Sequence, residues 1–186
     1  MFEFDPYAEL ARLKDFPRMT VTSTDFADGE PLPRESWGAA GGGADRSPQL
    51  SWLGAPEGTK SFAVSCYDPD APTGSGFWHW AVYDIDPSVT ELAADAGNGS
   101  PDGLPEGAIT LPNEARSERF IGAGPPPTTG THRYFFVVDA LDVAHLDIPR
   151  ARRRPSWAST GTSTRWHAAS WSARPRPTDE GVGGRP

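Results

Sequence analysis

The sequence predicts an all-β protein with minor helix, an antiparallel β-sandwich that carries long loops at one end. Three observations predict it. Gly and Pro number 20 each among 186 residues, nearly twice their ordinary share, which excludes a helical bundle and favours short strands joined by many turns. Several runs are β-branched and aromatic, with apolar residues at every second position. Helical pattern is confined to short stretches, the clearest at Pro6 to Leu13. The length suits one domain with a substantial core.

Along the chain, Met19 to Ser23 alternates polar and apolar residues between Pro17 and the Asp28-Gly29 turn signal, and reads as a half-buried strand. Lys60 to Tyr67 places Phe62, Val64 and Cys66 on one face and Ser61, Ala63 and Ser65 on the other. Phe77 to Ile85 and Arg133 to Leu141 are longer apolar runs suited to central strands covered on both faces. A turn is expected near Val89 to Ala94. Turn-rich connections separate these elements at Gly38 to Asp45, Asp68 to Gly76, Gly97 to Gly107 and Gly122 to Gly130.

Charge divides the chain into two segments. Residues 1–149 hold 9 Lys and Arg against 23 Asp and Glu, whereas residues 150–186 hold eight Arg against Asp179 and Glu180. An acidic body repels phosphate backbones, so nucleic-acid binding by the folded part is not expected. No run reaches the ~18 apolar residues of a membrane span. The acidic start MFEFDPYAEL has no signal-peptide pattern. Cys66 is the single cysteine; no internal disulfide is expected, and a reducing, cytoplasmic compartment fits. Its place in the alternation makes it a buried, unreactive thiol. The last 37 residues contain three Trp, one Val and no Leu, Ile, Phe, Met or Tyr. Such a segment lacks the apolar area needed to offset the entropy of ordering, so 150–186 is expected to be a disordered tail outside the domain at 1–149.

Two loops concentrate side chains with chemistry. Asp68-Pro69-Asp70-Ala71-Pro72 precedes Trp78-His79-Trp80 at the start of one long strand. Gly122-Ala123-Gly124-Pro125-Pro126-Pro127 leads through Gly130 to His132, Arg133 and Tyr134 at the start of another. If both strands share a sheet, His79, His132 and Asp70 meet at one rim. Two imidazoles beside free N–H groups of the Gly122 to Gly124 turn suit a phosphate-like anion, with Asp70 orienting a histidine or accepting an ammonium. The plain alternative is that each histidine only closes a strand end and that Asp68 and Asp70 close Asx-turns before proline. A third reading uses His79, His132 and Asp70 as a two-histidine, one-carboxylate metal site in an enzyme. His145 reads as a surface residue, and His167 belongs to the tail.

The stretch SFAVSCYDPDAPTGSGFWHWAVYDI resembles the first signature of the phosphatidylethanolamine-binding protein family, and FIGAGPPPTTGTHRYFFVVDALD the second. Ser47-Pro48-Gln49-Leu50-Ser51-Trp52 is similar to a third family segment. The resemblance spans about residues 19–149 and is strongest to the bacterial Raf kinase inhibitor-like branch. It implies a Greek-key sandwich with a pocket for phosphate-like anions or phosphoethanolamine head groups, formed here by Asp70, Pro72, His79, Gly122, Pro125, His132 and Tyr134. It implies a binding or inhibitory module acting on a kinase or protease rather than an enzyme, with no cofactor. Ala123-Gly124 stands where many relatives carry Gly-Pro.

Family members continue past the second signature with a helix and a final strand, and this sequence does not. Reading Trp157 to Ala173 two nucleotides later, with permitted codons, gives an amphipathic helix pattern followed by a β-branched strand, which resembles that missing segment. The tail therefore reads as a frameshifted translation, either a true lesion or a sequencing error, and a further reading makes the chain a damaged product without a function of its own. Loss of the segment would leave core surface uncovered and the body marginally stable.

Overall fold

The computed structural model of the chain describes residues 5–13, 16–148, 165–167 and 171–173. It begins with helix α1 (Pro6–Leu13), in the span expected. The Tyr7 and Ala8 amides donate to Asp5 Oδ1 at 2.9 and 3.0 Å, so Asp5 caps a helix whose first residue is proline. The strands are β1 (Thr20–Thr22), β2 (Leu50–Leu53), β3 (Ser61–Asp68), β4 (Phe77–Ile85), β5 (Glu91–Leu92), β6 (Ile109–Thr110), β7 (Tyr134–Leu141), β8 (Arg165–His167) and β9 (Trp171–Ala173). The turn expected near Val89 to Ala94 is partly strand: the chain turns at Asp86 to Val89, then Glu91–Leu92 pairs with β2.

All the ladders are antiparallel. A small sheet runs β1-β2-β5, and a large one runs β6-β4-β3-β7 with β8 and β9 beyond β7. The long runs read as central strands are central: β3 lies between β4 and β7, and every residue of β7 is buried. Alternation sorts the side chains. Phe62, Val64, Cys66, Trp80, Tyr134, Phe136 and Val138 pack against Val21, Leu50, Trp52 and Leu92 of the small sheet. On the opposite face of the large sheet Ala63, Ala81, Tyr83 and Leu141 pack with Leu111 and Ile148. The result is the predicted β-sandwich with very little helix.

Within 150–186, where no regular structure was expected, two short strands occur. β8 pairs with Asp139 to Leu141 and β9 with Tyr134 to Phe136, along the same edge of β7, the register slipping by one residue between them. The remainder of the tail lies outside the described residues.

Two irregularities position the site. Cys66 pairs with Trp80 but Tyr67 with Trp78, which leaves His79 as the extra residue of a β-bulge on β4. Bulges re-aim a side chain, and this one stands at the strand's loop end. The second is an isolated parallel bridge between Trp37 and Ala123. Through it the Gly38 amide donates to the Ala123 carbonyl at 2.7 Å, and the Ala123 amide donates to the Ser36 carbonyl at 3.0 Å. Two loops far apart in sequence thereby form one wall.

Candidate functional site

A cleft of about 470 Å³ opens where β3, β4 and β7 meet the loops at 38–45, 71–73 and 121–126. Of the residues expected to form a pocket, Pro72, His79, Gly122, His132 and Tyr134 line it. Asp70 and Pro125 are not among the lining residues; Asp68 and Pro126 are.

The reason for the exchange of carboxylates lies in strand alternation. Phe62, Val64 and Cys66 share the inner face of β3, and the next position on that face is Asp68. Its Oδ2 lies 2.8 Å from His132 Nδ1, both side chains being buried. Asp68 Oδ1 accepts the Asp70 amide at 2.8 Å, the Asx-turn expected before proline. Asp70 turns away from the cleft to Arg133, accepting from Nε at 2.8 Å, from Nη2 at 2.8 Å and from its backbone N–H at 2.9 Å. Burial pushes the Asp70 carboxyl up, but the hydrogen bonds from Arg133 outweigh it and hold Asp70 below the usual carboxylate range. Asp70 therefore orients no histidine. It clamps the loop whose Asp68 does so.

Burial pushes the Asp68 carboxyl up, and the bond to His132 opposes it. On the other side of the ring, His132 Nε2 is 2.8 Å from Thr129 Oγ1, which donates to the Pro126 carbonyl at 2.7 Å. A threonine hydroxyl has one proton and a carbonyl only accepts. With that proton on Pro126, His132 Nε2–H donates to Thr129, and Nδ1 faces Asp68 Oδ2.

His79 differs from expectation. It is almost fully buried, and its Nδ1–H donates to the Ile121 carbonyl at 2.7 Å. Burial pushes its pKa down to about 4, only partly offset by that hydrogen bond, so the ring is neutral at pH 7. It is held edge-on to Tyr134, centroids 5.1 Å apart, and against Phe77 at 4.8 Å. The cleft thus contains one imidazole beside a carboxylate and one neutral imidazole, not a pair of imidazolium donors. The glycine turn is also less free than expected. The Gly122 amide donates to Asp45 Oδ1 at 2.8 Å, and the Ala123 amide is used by the wall bridge. The donor that sequence reasoning undervalued is the Tyr134 hydroxyl, buried at the cleft beside the Gly124 amide, its own proton without an acceptor among the described residues.

His79, His132 and Asp70 do not form a facial triad. Asp70 is committed to Arg133, and both nitrogens of His132 have partners. Among the described residues no three His, Cys, Asp or Glu side chains are grouped to hold a metal ion. Cys66 is buried, and burial pushes its thiol well above the ordinary value, as its place in the alternation requires. His145 is exposed, 3.3 Å from Asp84. Asp45, Asp68 and Thr129 were missed as site residues. Only Asp68 carried a signal, the alternation of β3 continued one step further.

Residues 22–171 match the family model described as phosphatidylethanolamine-binding protein, and the chain belongs to that family. It is similar to two proteins of Escherichia coli K12. It is 46% identical to the UPF0098 protein YbcL over 132 residues, covering 69% of this chain and 71% of that one. It is 39% identical to the UPF0098 protein YbhB over 152 residues, covering 81% and 93%. It is 34% identical to the putative lipoprotein LppC of Mycobacterium tuberculosis H37Rv, over 70% of this chain and 59% of that one. Among solved structures, E. coli YbcL superposes with a TM-score of 0.80 at 36% identity, covering 87% of this chain and 99% of that chain. A carboxypeptidase Y inhibitor in complex with its proteinase superposes at TM-score 0.50 and 19% identity, over 85% and 82% of the two chains; that likeness concerns the fold alone. Among the described residues no helix is long and apolar enough to cross a membrane.

Proposed function

We propose that this protein is a binding module for a small phosphate-bearing ligand of the phosphoethanolamine kind, seated in the cleft between His79, His132 and Tyr134. The observation that carries the reading is the buried Asp68–His132 pair, held on its outer nitrogen by the exposed Thr129, beside a buried Tyr134 hydroxyl whose proton has no acceptor among the described residues. The buried phenol is a ready donor for an anionic oxygen, and the His132 Nε2–H, backed by Asp68, becomes a second when a ligand oxygen takes the place of Thr129 Oγ1. The Asp45 and Asp68 carboxylates of the same cleft suit an ammonium group on the ligand. Titration calorimetry with phosphoethanolamine on the wild type, His132→Ala and Tyr134→Phe tests it. Losing a hydrogen bond to a charged group costs about 1.5–3 kcal/mol, roughly a tenfold to hundredfold loss of affinity for His132→Ala, with a smaller loss for Tyr134→Phe. Equal affinity in all three proteins overturns the assignment. A single buried cysteine supports a reducing, cytoplasmic setting.

A second reading concerns the segment after Pro149, whose composition departs from that of the body. It is out-of-frame sequence, and the chain is then a damaged form of a family member. Reading the encoding DNA around the Pro149 codon decides it; an unbroken frame rejects the proposal.

A further inference from the structure

The cleft offers a phosphate an unusual set of partners. Its lining includes the carboxylates of Asp45 and Asp68 but neither lysine nor arginine. Arg133, the cation closest in sequence, is paired with Asp70 and lies over the Phe135 ring. Arg119 is half-exposed, 3.9 Å from Asp45. Around His79 stand the Ile121 carbonyl on Nδ1, Asp45 from the 38–45 loop, Asp68 at the end of β3, His132 and Tyr134 at the start of β7, and apolar Phe77 on β4 itself. Because a carbonyl can only accept, the proton of the neutral ring is fixed on Nδ1 and Nε2 carries a lone pair. A fully ionised phosphate presents only lone pairs, so it meets this nitrogen with repulsion and the two carboxylates with like charge.

Given the phosphate site proposed above, we infer that the cleft takes a phosphate monoester in its singly protonated form, the ligand's own P–O–H donating to His79 Nε2 and its other oxygens facing His132 and Tyr134. A diester has no such proton. The site therefore prefers a free phosphorylated head group to the same group within an intact phospholipid, although both carry one negative charge.

Three probes test this: phosphoethanolamine, glycerophosphoethanolamine, which is a diester, and 2-aminoethyl sulfate, which matches phosphoethanolamine in shape but stays ionised and lacks the proton. Phosphoethanolamine should bind at least tenfold more tightly than either of the others at pH 6. Its affinity should fall about tenfold per pH unit above the second phosphate pKa near ~6. That midpoint belongs to the ligand, so with alkyl phosphonates of higher and lower second pKa it must move with the phosphonate. On saturation, the ¹⁵N shifts of His79 should keep the pattern of a neutral ring protonated on Nδ1. A midpoint that stays fixed across the phosphonates, a diester that binds as tightly as the monoester, or an imidazolium pattern at His79 overturns the inference while leaving a phosphate site in place. Absence of binding by all three probes at every pH rejects the phosphate site itself, and the inference with it.

Discussion

Replacing Gly122 by alanine tests how the cleft wall is built. Gly122 has no left-handed backbone, so what it supplies is space. A methyl group there would overlap the backbone carbonyl of Trp37 and the amide nitrogen of Gly38. Neither is a side chain that can swing aside, so the two loops must part. Parting them breaks the two bridge hydrogen bonds, Gly38 N–H to Ala123 and Ala123 N–H to Ser36, at about 0.5–1.5 kcal/mol each. Overpacking adds about 1–3 kcal/mol, giving a destabilisation of about 2–6 kcal/mol and, for a domain of this size, a fall in melting temperature on the order of 10 °C. Gly124 is the control. It lines the same cleft, has no left-handed backbone, and a methyl group on it meets nothing within 4 Å. Gly124→Ala should be neutral or stabilise by a few tenths of a kcal/mol through the unfolded chain. Thermal unfolding followed by circular dichroism on the three proteins gives the answer. If Gly122→Ala melts with the wild type, the bridge contributes nothing and the account of the wall is wrong.

Three further outcomes are expected. Asp70 is held below the usual carboxylate range, so its charge stabilises the fold above the unfolded pKa of about 3.9 and that contribution disappears as pH falls through the folded value. In urea titrations Asp70→Asn should thus be clearly less stable than wild type at pH 7, with the gap closing below about pH 4; a constant gap contradicts the clamp. His79 titrates in the folded state at about 4, against ~6.5 unfolded. Its contribution is complete above pH 6.5 and is lost as pH falls toward 4, at up to about 1.4 kcal/mol per pH unit, and His79→Gln should remove that part of the slope from the stability–pH profile. Ser47 is fully buried and its Oγ accepts the Gly97 amide at 2.8 Å. Ser47→Ala leaves that amide without a partner and should cost about 1–3 kcal/mol in chemical denaturation, whereas Ser51→Ala on the neighbouring strand should cost less than half as much.

Much of the sandwich was legible because alternation is a direct record of which face is buried. Phe62, Val64 and Cys66 fell on the inner face as read, and the unbroken apolar run at β7 marked a strand covered on both sides. The two-residue strands β5 and β6 were not legible, since a pair of residues has no period and pairs only because its neighbours bring it there. At the site, the two histidines were read from their places at strand starts and Tyr134 from the family resemblance, and all three line the cleft. The carboxylate was assigned one alternation too late: Asp70 stands out in the motif, but Asp68 shares the face of Cys66. The neutrality of His79 was hidden because it follows from burial at a bulge, and its tautomer from the carbonyl of Ile121, neither of which leaves a mark in the local sequence. Asp45 was invisible for the same reason. Its role exists only once Gly122, 77 residues further on, is brought beside it.

These separations govern when the site can exist. Asp45 and Gly122 are 77 residues apart, Asp68 and His132 64, and Asp70 and Arg133 63. Contacts of such range form only after the intervening chain has been closed into loops, and their entropic cost makes β topologies of high contact order slow to fold. During synthesis nothing resembling the cleft can assemble until Arg133 has left the ribosome and β7 has added to β3. Binding at the proposed site would therefore be a late report that the whole sheet is in register. Ligand present during refolding should leave the rate of collapse unchanged and act only on the final step, by slowing the opening of a wall already closed.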